Sequence, residues 1–111
     1  PLEKCVVGGK TFNKMDDFYK SVVNLSEGEK VLKYKEVGKQ VAGKNGWSKN
    51  VYLSKKNKRD VYTDKKGNIY SLDTRHGEFE IFDKRGQHQG AVDFSGNQTS
   101  RPDKTNHKIE L

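Results

Sequence analysis

Residues 61–93 read VYTDKKGNIYSLDTRHGEFEIFDKRGQHQGAVD, and this stretch decides the architecture. Asp64-Lys65-Lys66-Gly67 and Asp83-Lys84-Arg85-Gly86 share one form. Each puts Asp at the first position of a type I turn and Gly at the fourth, where a positive φ is wanted. Both are therefore hairpin tips. Their flanks, Val61 to Thr63 with Asn68 to Leu72 and Gly77 to Phe82 with Gln87 to Asp93, become antiparallel strands of a meander. Along the strand from Gly77, alternation sends Phe79 and Ile81 toward a core and lines His76, Glu78 and Glu80 along an open face. Asp73 has the wrong parity for that face and joins His76 only if the chain bends or bulges at Thr74-Arg75. The turn-defined register sets His88 across from Phe82 and Gly90 across from Glu80.

Outward from this stretch the signals weaken. Met15, Phe18, Tyr19 and Val22 fall at helical spacing, with Asn13 as N-cap and Asp16 and Asp17 in the first turn, where the helix dipole favours them. This helix ends near Asn24. From Glu29 to Leu53, Val, Tyr and Lys mix with Gly38, Gly43 and Gly46, which reads as short strands around Val31 to Val37 and Trp47 to Leu53. The polar run from Ser95 to Lys108, with Pro102, reads as an irregular tail pinned by Ile109 and Leu111. The expected fold class is α+β, a strongly twisted antiparallel sheet built as a meander of hairpins with a short N-terminal helix. One domain is expected over 1–111, with 1–28 a helical lead-in or linker and 29–111 the sheet that carries the site in 73–80.

Val, Ile, Leu and Phe make up 24 of 111 residues, so the core must be thin. The net charge of +7 is unevenly placed, because residues 30–70 hold twelve Lys and Arg against three Asp and Glu. A concentrated positive field draws polyanions, whether nucleic acid, an anionic membrane or an acidic protein, although a lysine-rich surface also serves solubility alone. The single cysteine, Cys5, excludes an internal disulfide and any multi-cysteine zinc site. No run approaches a membrane span, so no membrane binding by this domain is expected. The abrupt start at Pro1 reads as a segment of a longer protein with its delivery signals upstream.

A histidine with carboxylates on one surface meets the needs of RNA cleavage by internal transesterification. Glu80 would take the ribose 2′-hydroxyl proton, imidazolium His76 would protonate the departing 5′-oxygen, and Asp73 would orient the ring. Arg75, Lys104 or Arg101 would offset charge on the phosphorane. No metal or cofactor is expected. The same His-x-Glu-x-Glu pattern is also what an ordinary polar sheet face looks like. His88 adds either a second functional imidazole or a surface residue, and His107 reads as incidental. Lys55, Lys56, Lys58, Arg59, Lys65, Lys66, His88 and Arg101 are candidate RNA contacts, with Trp47 among them as a stacking platform. A thin sheet also needs its aromatics, so at least two of Tyr34, Trp47 and Tyr52 are expected to be buried.

From Gly67 to about Lys108 the chain resembles the C-terminal cytotoxic domain of the ribosome-inactivating colicins and cloacin. The likeness runs through Ile69-Tyr70, Asp73-Thr74-Arg75-His76-Gly77-Glu78-Phe79-Glu80, Gly86-Gln87-His88, Gly90, Asp93, Gly96-Asn97-Gln98 and Pro102-Asp103. The resemblance implies cleavage of small-subunit ribosomal RNA in the decoding region, with Asp73, His76 and Glu80 catalytic and Glu78 auxiliary. It also implies an acidic immunity protein that forms a heterodimer with the toxin in the producing cell. By the same resemblance the toxin is secreted or displayed as part of a larger protein and acts in the target-cell cytoplasm on the ribosome. Two departures stand out. Thr105 occupies the position of the family's essential arginine, leaving Lys104, Arg101 or Lys108 as substitutes, and residues 1–50 differ from the Gly- and Lys-rich lead-in, which admits a contact-dependent growth inhibition protein as carrier. A ribonuclease cutting transfer RNA and a non-catalytic RNA- or ribosome-binding module remain the alternatives.

Overall fold

Three Asp-x-x-Gly turns join the strands of the sheet, one more than the sequence reading singled out. In each, the Gly N–H donates to the Asp carbonyl: Gly67 to Asp64 at 3.1 Å, Gly86 to Asp83 at 2.9 Å and Gly96 to Asp93 at 3.0 Å. All three glycines have positive φ, at 90°, 84° and 89°. The Asp side chain secures the turn further by accepting backbone N–H groups two and four residues on, as Asp64 does from Lys66 and Asn68 at 2.9 Å.

The computed structural model describes residues 5–7, 10–12, 15–103, 105 and 107–111. Its elements run β1 (Cys5–Val7), β2 (Lys10–Phe12), α1 (Met15–Val22), α2 (Glu27–Asn45), β3 (Ser48–Lys49), α3 (Val51–Asn57), β4 (Val61–Thr63), β5 (Ile69–Asp73), β6 (Glu78–Phe82), β7 (His88–Val92) and β8 (Gln98–Ser100). Strands β3 to β8 form one open antiparallel sheet in chain order, and β1 pairs with β2 in a separate hairpin. The fold is α+β, as the sequence indicates, and the meander falls where the turn signals place it.

The region before the meander differs from the expectation. Residues 31–37 lie inside the 19-residue helix α2, not in a strand. Ser26 and Glu29 cap it reciprocally, each side chain accepting the other's backbone N–H at 3.2 Å. Gly46 closes it at φ 76°. Tyr34, Val37, Gly38 and Ala42 face the core, a helical stripe in which two of four members are small. Gly38 is small because the helix lies against the sheet there: a Cβ would sit 3.0 Å from a Leu72 methyl. The expected strand from Trp47 to Leu53 shrinks to Ser48–Lys49, and α3 begins at Val51 under an Asn50 cap that accepts the Leu53 N–H at 2.9 Å. The tail is not wholly irregular either, since Gln98–Ser100 pairs with β7. The proposed Asn13 cap of α1 lies outside the described residues.

Both faces of the sheet are covered, and this limits where a site can open. On one side α1 and α2 contribute Met15, Phe18, Val22, Tyr34, Val37 and Ala42 to a cluster with Tyr62, Leu72, Phe79 and Phe94. On the other, Leu53 of α3 packs with Val61, Ile69 and Phe82, and Ile109 closes over them. Of Tyr34, Trp47 and Tyr52, of which at least two were expected to be buried, only Tyr34 is. Trp47 is half-buried, stacked on Tyr70 with centroids 3.6 Å apart, and Tyr52 is 63% exposed. Because α2 is nucleated by its capping box, Ser26→Ala is expected to cost about 1 kcal/mol, read as a lower urea midpoint with unchanged slope.

Candidate active site

Strand pairing brings the carboxylates together. Asp73 lies opposite Glu78, and Ser71 opposite Glu80, so Asp73, Glu78 and Glu80 share the face that β5 and β6 turn away from Leu72 and Phe79. Asp73 reaches this face because it sits on the neighbouring strand, joined to β6 by a tight turn in which the Gly77 N–H donates to the Asp73 carbonyl at 2.8 Å. The bend required at Thr74-Arg75 is present.

That turn aims His76. Oδ1 of Asp73 accepts the backbone N–H groups of Arg75 at 2.9 Å and His76 at 3.1 Å, while Oδ2 meets His76 Nδ1 at 2.7 Å. Burial opposes ionisation of Asp73, but the hydrogen bonds from the His76 ring and the two backbone N–H groups outweigh it and hold the carboxyl below its usual range. The His76 side chain is 63% exposed, so its far nitrogen is open to a substrate. Two tyrosines brace the turn from behind. Tyr19 Oη donates to the Gly77 carbonyl at 2.8 Å, and the Tyr34 ring packs against Gly77 so closely that a Cβ there would lie 2.5 Å from it.

Glu80 is held differently. The register slips between Ile81 and Phe82, a bulge at Gln89 that sets Glu80 across from Ala91 rather than Gly90. His88 remains across from Phe82, fully buried, with Nε2 2.5 Å from Glu80 Oε2. The backbone N–H of Asp103 donates to His88 Nδ1 at 2.8 Å. A nitrogen that accepts carries no proton, so the neutral ring keeps its proton on Nε2 and donates it to Glu80. This placement corrects the expectation that His88 meets RNA, because a buried ring has no surface to offer. Its Nε2 instead holds the Glu80 carboxylate.

His107, which the sequence reading passed over, completes the group, with Nε2 3.5 Å from Glu80 Oε1 and Nδ1 3.3 Å from Asp103 Oδ2. The signal for it was available: Asp103 and His107 repeat, at a spacing of four, the Asp–His relation of Asp73 and His76. Glu78 also belongs to this face. Burial, with the negative charges of Glu80 and Asp73, raises its carboxyl above the ordinary range against the lowering effect of the Thr99 hydroxyl, which donates to it at 3.0 Å. Arg75 and Arg101 are exposed. Lys104 lies outside the described residues.

Glu80, His88 and His107 place three ligand-type atoms within 4.8 Å of one another, the donor set of a His₂Glu metal site. The chemistry of His88 does not fit an ion. A metal-bound imidazole donates its other N–H to a partner, whereas the other nitrogen of His88 receives an N–H. Coordination through Nε2 would leave an imidazolate.

The other basic candidates sit at the end of α3 and on a hairpin tip. Lys55 and Lys56 end α3, where Lys56 Nζ donates to Tyr52 Oη at 3.1 Å and to the Leu111 carbonyl at 2.7 Å. Lys58 caps that helix in the left-handed region, and Arg59 donates to the Lys108 carbonyl at 3.3 Å. Lys65 and Lys66 occupy a hairpin tip. Trp47 borders a cavity of about 500 Å³ with Lys35, Lys39, Lys49, Asp60 and Tyr62, and none of the three clustered carboxylates lines it.

A family model described as Cytotoxic matches residues 41–110, which takes in the end of α2, the whole six-stranded sheet and every side chain of the cluster. The chain belongs to the Cytotoxic family. It is a toxin nuclease domain of the kind that ends colicin-like toxins. Among curated proteins no match to this chain was found. Tyr19 and Tyr34, which brace the Asp73–Gly77 turn, lie before the Cytotoxic match, so a segment outside the family's shared region supports the site. No helix among the described residues is long and apolar enough to cross a membrane.

The depressed Asp73 carboxyl makes a prediction about stability. A carboxyl that holds its proton less tightly when folded stabilises the protein above its unfolded-state pKa, and that contribution is lost as pH falls through the lower folded value. Asp73→Asn should therefore be less stable than the parent at neutral pH, and the gap should narrow below the ordinary carboxylate range. Urea titrations of both proteins at neutral and acid pH test this, and a gap that stays constant would contradict it.

Proposed function

We propose that the chain is an endoribonuclease that cuts small-subunit ribosomal RNA in its decoding region by metal-independent attack of a ribose 2′-hydroxyl on the adjacent phosphorus. The observation that carries the reading is the fixing of Glu80 by His88 on the same sheet face as the Asp73-oriented, exposed His76. Glu80 takes the 2′-hydroxyl proton as that oxygen bonds to phosphorus, and His76 gives its proton to the 5′-oxygen as the P–O5′ bond breaks. The products are a 2′,3′-cyclic phosphate and a 5′-hydroxyl. Glu78, paired across from Asp73, adds negative potential to this face.

The basic segment from Lys30 to Tyr70 supplies RNA affinity through Lys55, Lys56, Lys58, Arg59, Lys65 and Lys66, with the open edge of Trp47 as a stacking surface. The same charge suits an acidic inhibitor protein made by the producing cell, which would exclude RNA by bulk and by competing potential without entering the site. The domain is delivered within a larger toxin and acts in the target-cell cytoplasm. Intact ribosomes incubated with purified domain in excess chelator, followed by mapping of new RNA ends, test the reading. One defined cut in small-subunit RNA supports it, broken anticodon loops in transfer RNA redirect it to a different target, and cleavage that vanishes with chelator rejects the metal-free chemistry.

A further inference from the structure

The two histidines that touch Glu80 use their nitrogens in opposite ways. His88 receives an N–H at Nδ1 and is neutral. His107 lies between two carboxylates, with Nε2 3.5 Å from Glu80 Oε1 and Nδ1 3.3 Å from Asp103 Oδ2, and negative charge on both sides suits a cation at this place. Its ring stacks on His88 with centroids 4.4 Å apart and planes 16° apart, an arrangement in which a neutral π face supports a cation. Asp103 divides its oxygens as Asp73 does. Oδ1 accepts the Thr105 N–H and hydroxyl, both at 2.9 Å, and Oδ2 meets the imidazole. The side chain of His107 is 40% exposed while that of His88 is sealed, so of the two only His107 can meet a substrate.

The geometry points to His107 as a further catalytic residue, the cation that meets a non-bridging phosphate oxygen during the attack on phosphorus. This rests on the reading of Glu80 as the base. No bond to carbon, oxygen or phosphorus is made or broken at His107, and it keeps both protons throughout. As Glu80 accepts the 2′-hydroxyl proton its carboxylate charge is neutralised, while the phosphoryl oxygens gain charge in the phosphorane. The Nε2–H of His107 loses one anionic partner as the other forms beside it, and it stabilises the transition state more than the ground state.

Three variants test this in single-turnover cleavage of RNA in intact ribosomes, each measured well below its melting midpoint. His107→Gln keeps a donor but removes the charge, and is expected to slow the cleavage step by about 10²- to 10³-fold with the half-saturating ribosome concentration unchanged. His107→Arg restores a cation and should recover at least about ten-fold of that loss. The inference is overturned if His107→Gln cleaves within about three-fold of the parent, if its defect lies wholly in ribosome affinity, or if the Arg variant is as slow as the Gln variant. Glu80→Gln, run alongside, separates the two claims. If it still cleaves, the acid–base reading has failed, and if it is inactive while His107→Gln is normal, only the role of His107 falls.

Discussion

Glu80→Gln should slow ribosomal RNA cleavage by about 10²- to 10⁴-fold while leaving ribosome binding and melting temperature close to those of the parent. The substitution preserves shape, and its carbonyl oxygen can still accept the proton that His88 holds on Nε2, so no buried donor is stranded. What disappears is the capacity to take a proton. The geometry singles out Glu80 over Glu78 for that task. Glu80 is held at one oxygen by the buried His88 and faces His107 with the other, whereas Glu78 is engaged by the Thr99 hydroxyl and has its carboxyl raised by burial and by its acidic neighbours. Glu78→Gln should accordingly be the milder change, slowing cleavage by about ten-fold or less. Single-turnover rates for the two variants decide the assignment, and a Glu78→Gln enzyme slower than Glu80→Gln would reverse it.

The meander was legible because its signals are local. Each Asp-x-x-Gly turn is written in four residues, and each turn fixes the register of two strands. The Asp73–His76 pair was readable for a related reason: Asp73 opens its turn as Asp64, Asp83 and Asp93 open theirs, accepting backbone N–H groups with Oδ1. The difference lies in Oδ2. At Asp64 it takes the Asn68 amide and the Tyr70 hydroxyl, at Asp93 the Asn97 amide, and at Asp73 an imidazole. A structural turn device thus doubles as a positioning device, in a turn one residue longer, closed by Gly77 rather than by a glycine three residues on, with the imidazole at that third position.

Helix α2 was hidden because its buried stripe is partly made of absence. Gly38 and Ala42 are small where the helix presses on Leu72 and the sheet, and three glycines among lysines resemble turn punctuation. Its ends were nonetheless written plainly, in the Ser26–Glu29 capping box and in Gly46. His88 and His107 were hidden for another reason. Their partners, Glu80 and Asp103, come from separate parts of the chain, and the bulge at Gln89 shifts a register that turn geometry alone sets one residue differently. Periodicity reports a face, but it does not report which imidazole is sealed beneath it and which reaches solvent.

Gly77→Ala is expected to destabilise the domain strongly. Gly77 sits at φ 69°, where an L side chain costs about 1–3 kcal/mol in backbone strain alone. A Cβ would also lie 2.5 Å from the buried Tyr34 ring, a contact that only movement of the ring or of the turn can relieve. Tyr34 packs against Phe18 and Phe94 with centroids 6.3 and 6.1 Å away, so the ring cannot retreat without disturbing the larger core, and the turn must shift instead. The turn carries His76. The melting midpoint should therefore fall by roughly 10 °C or more, and the folded fraction should cleave more slowly because its imidazole is displaced. Gly96→Ala provides the contrast: its φ of 89° imposes the same strain, but no atom lies within 4 Å of the added carbon, and its turn carries none of the three clustered histidines. If the two alanine variants melt alike and cleave alike, the brace that Tyr34 gives the active-site turn carries no weight, and the link from the N-terminal helices to the chemistry is severed.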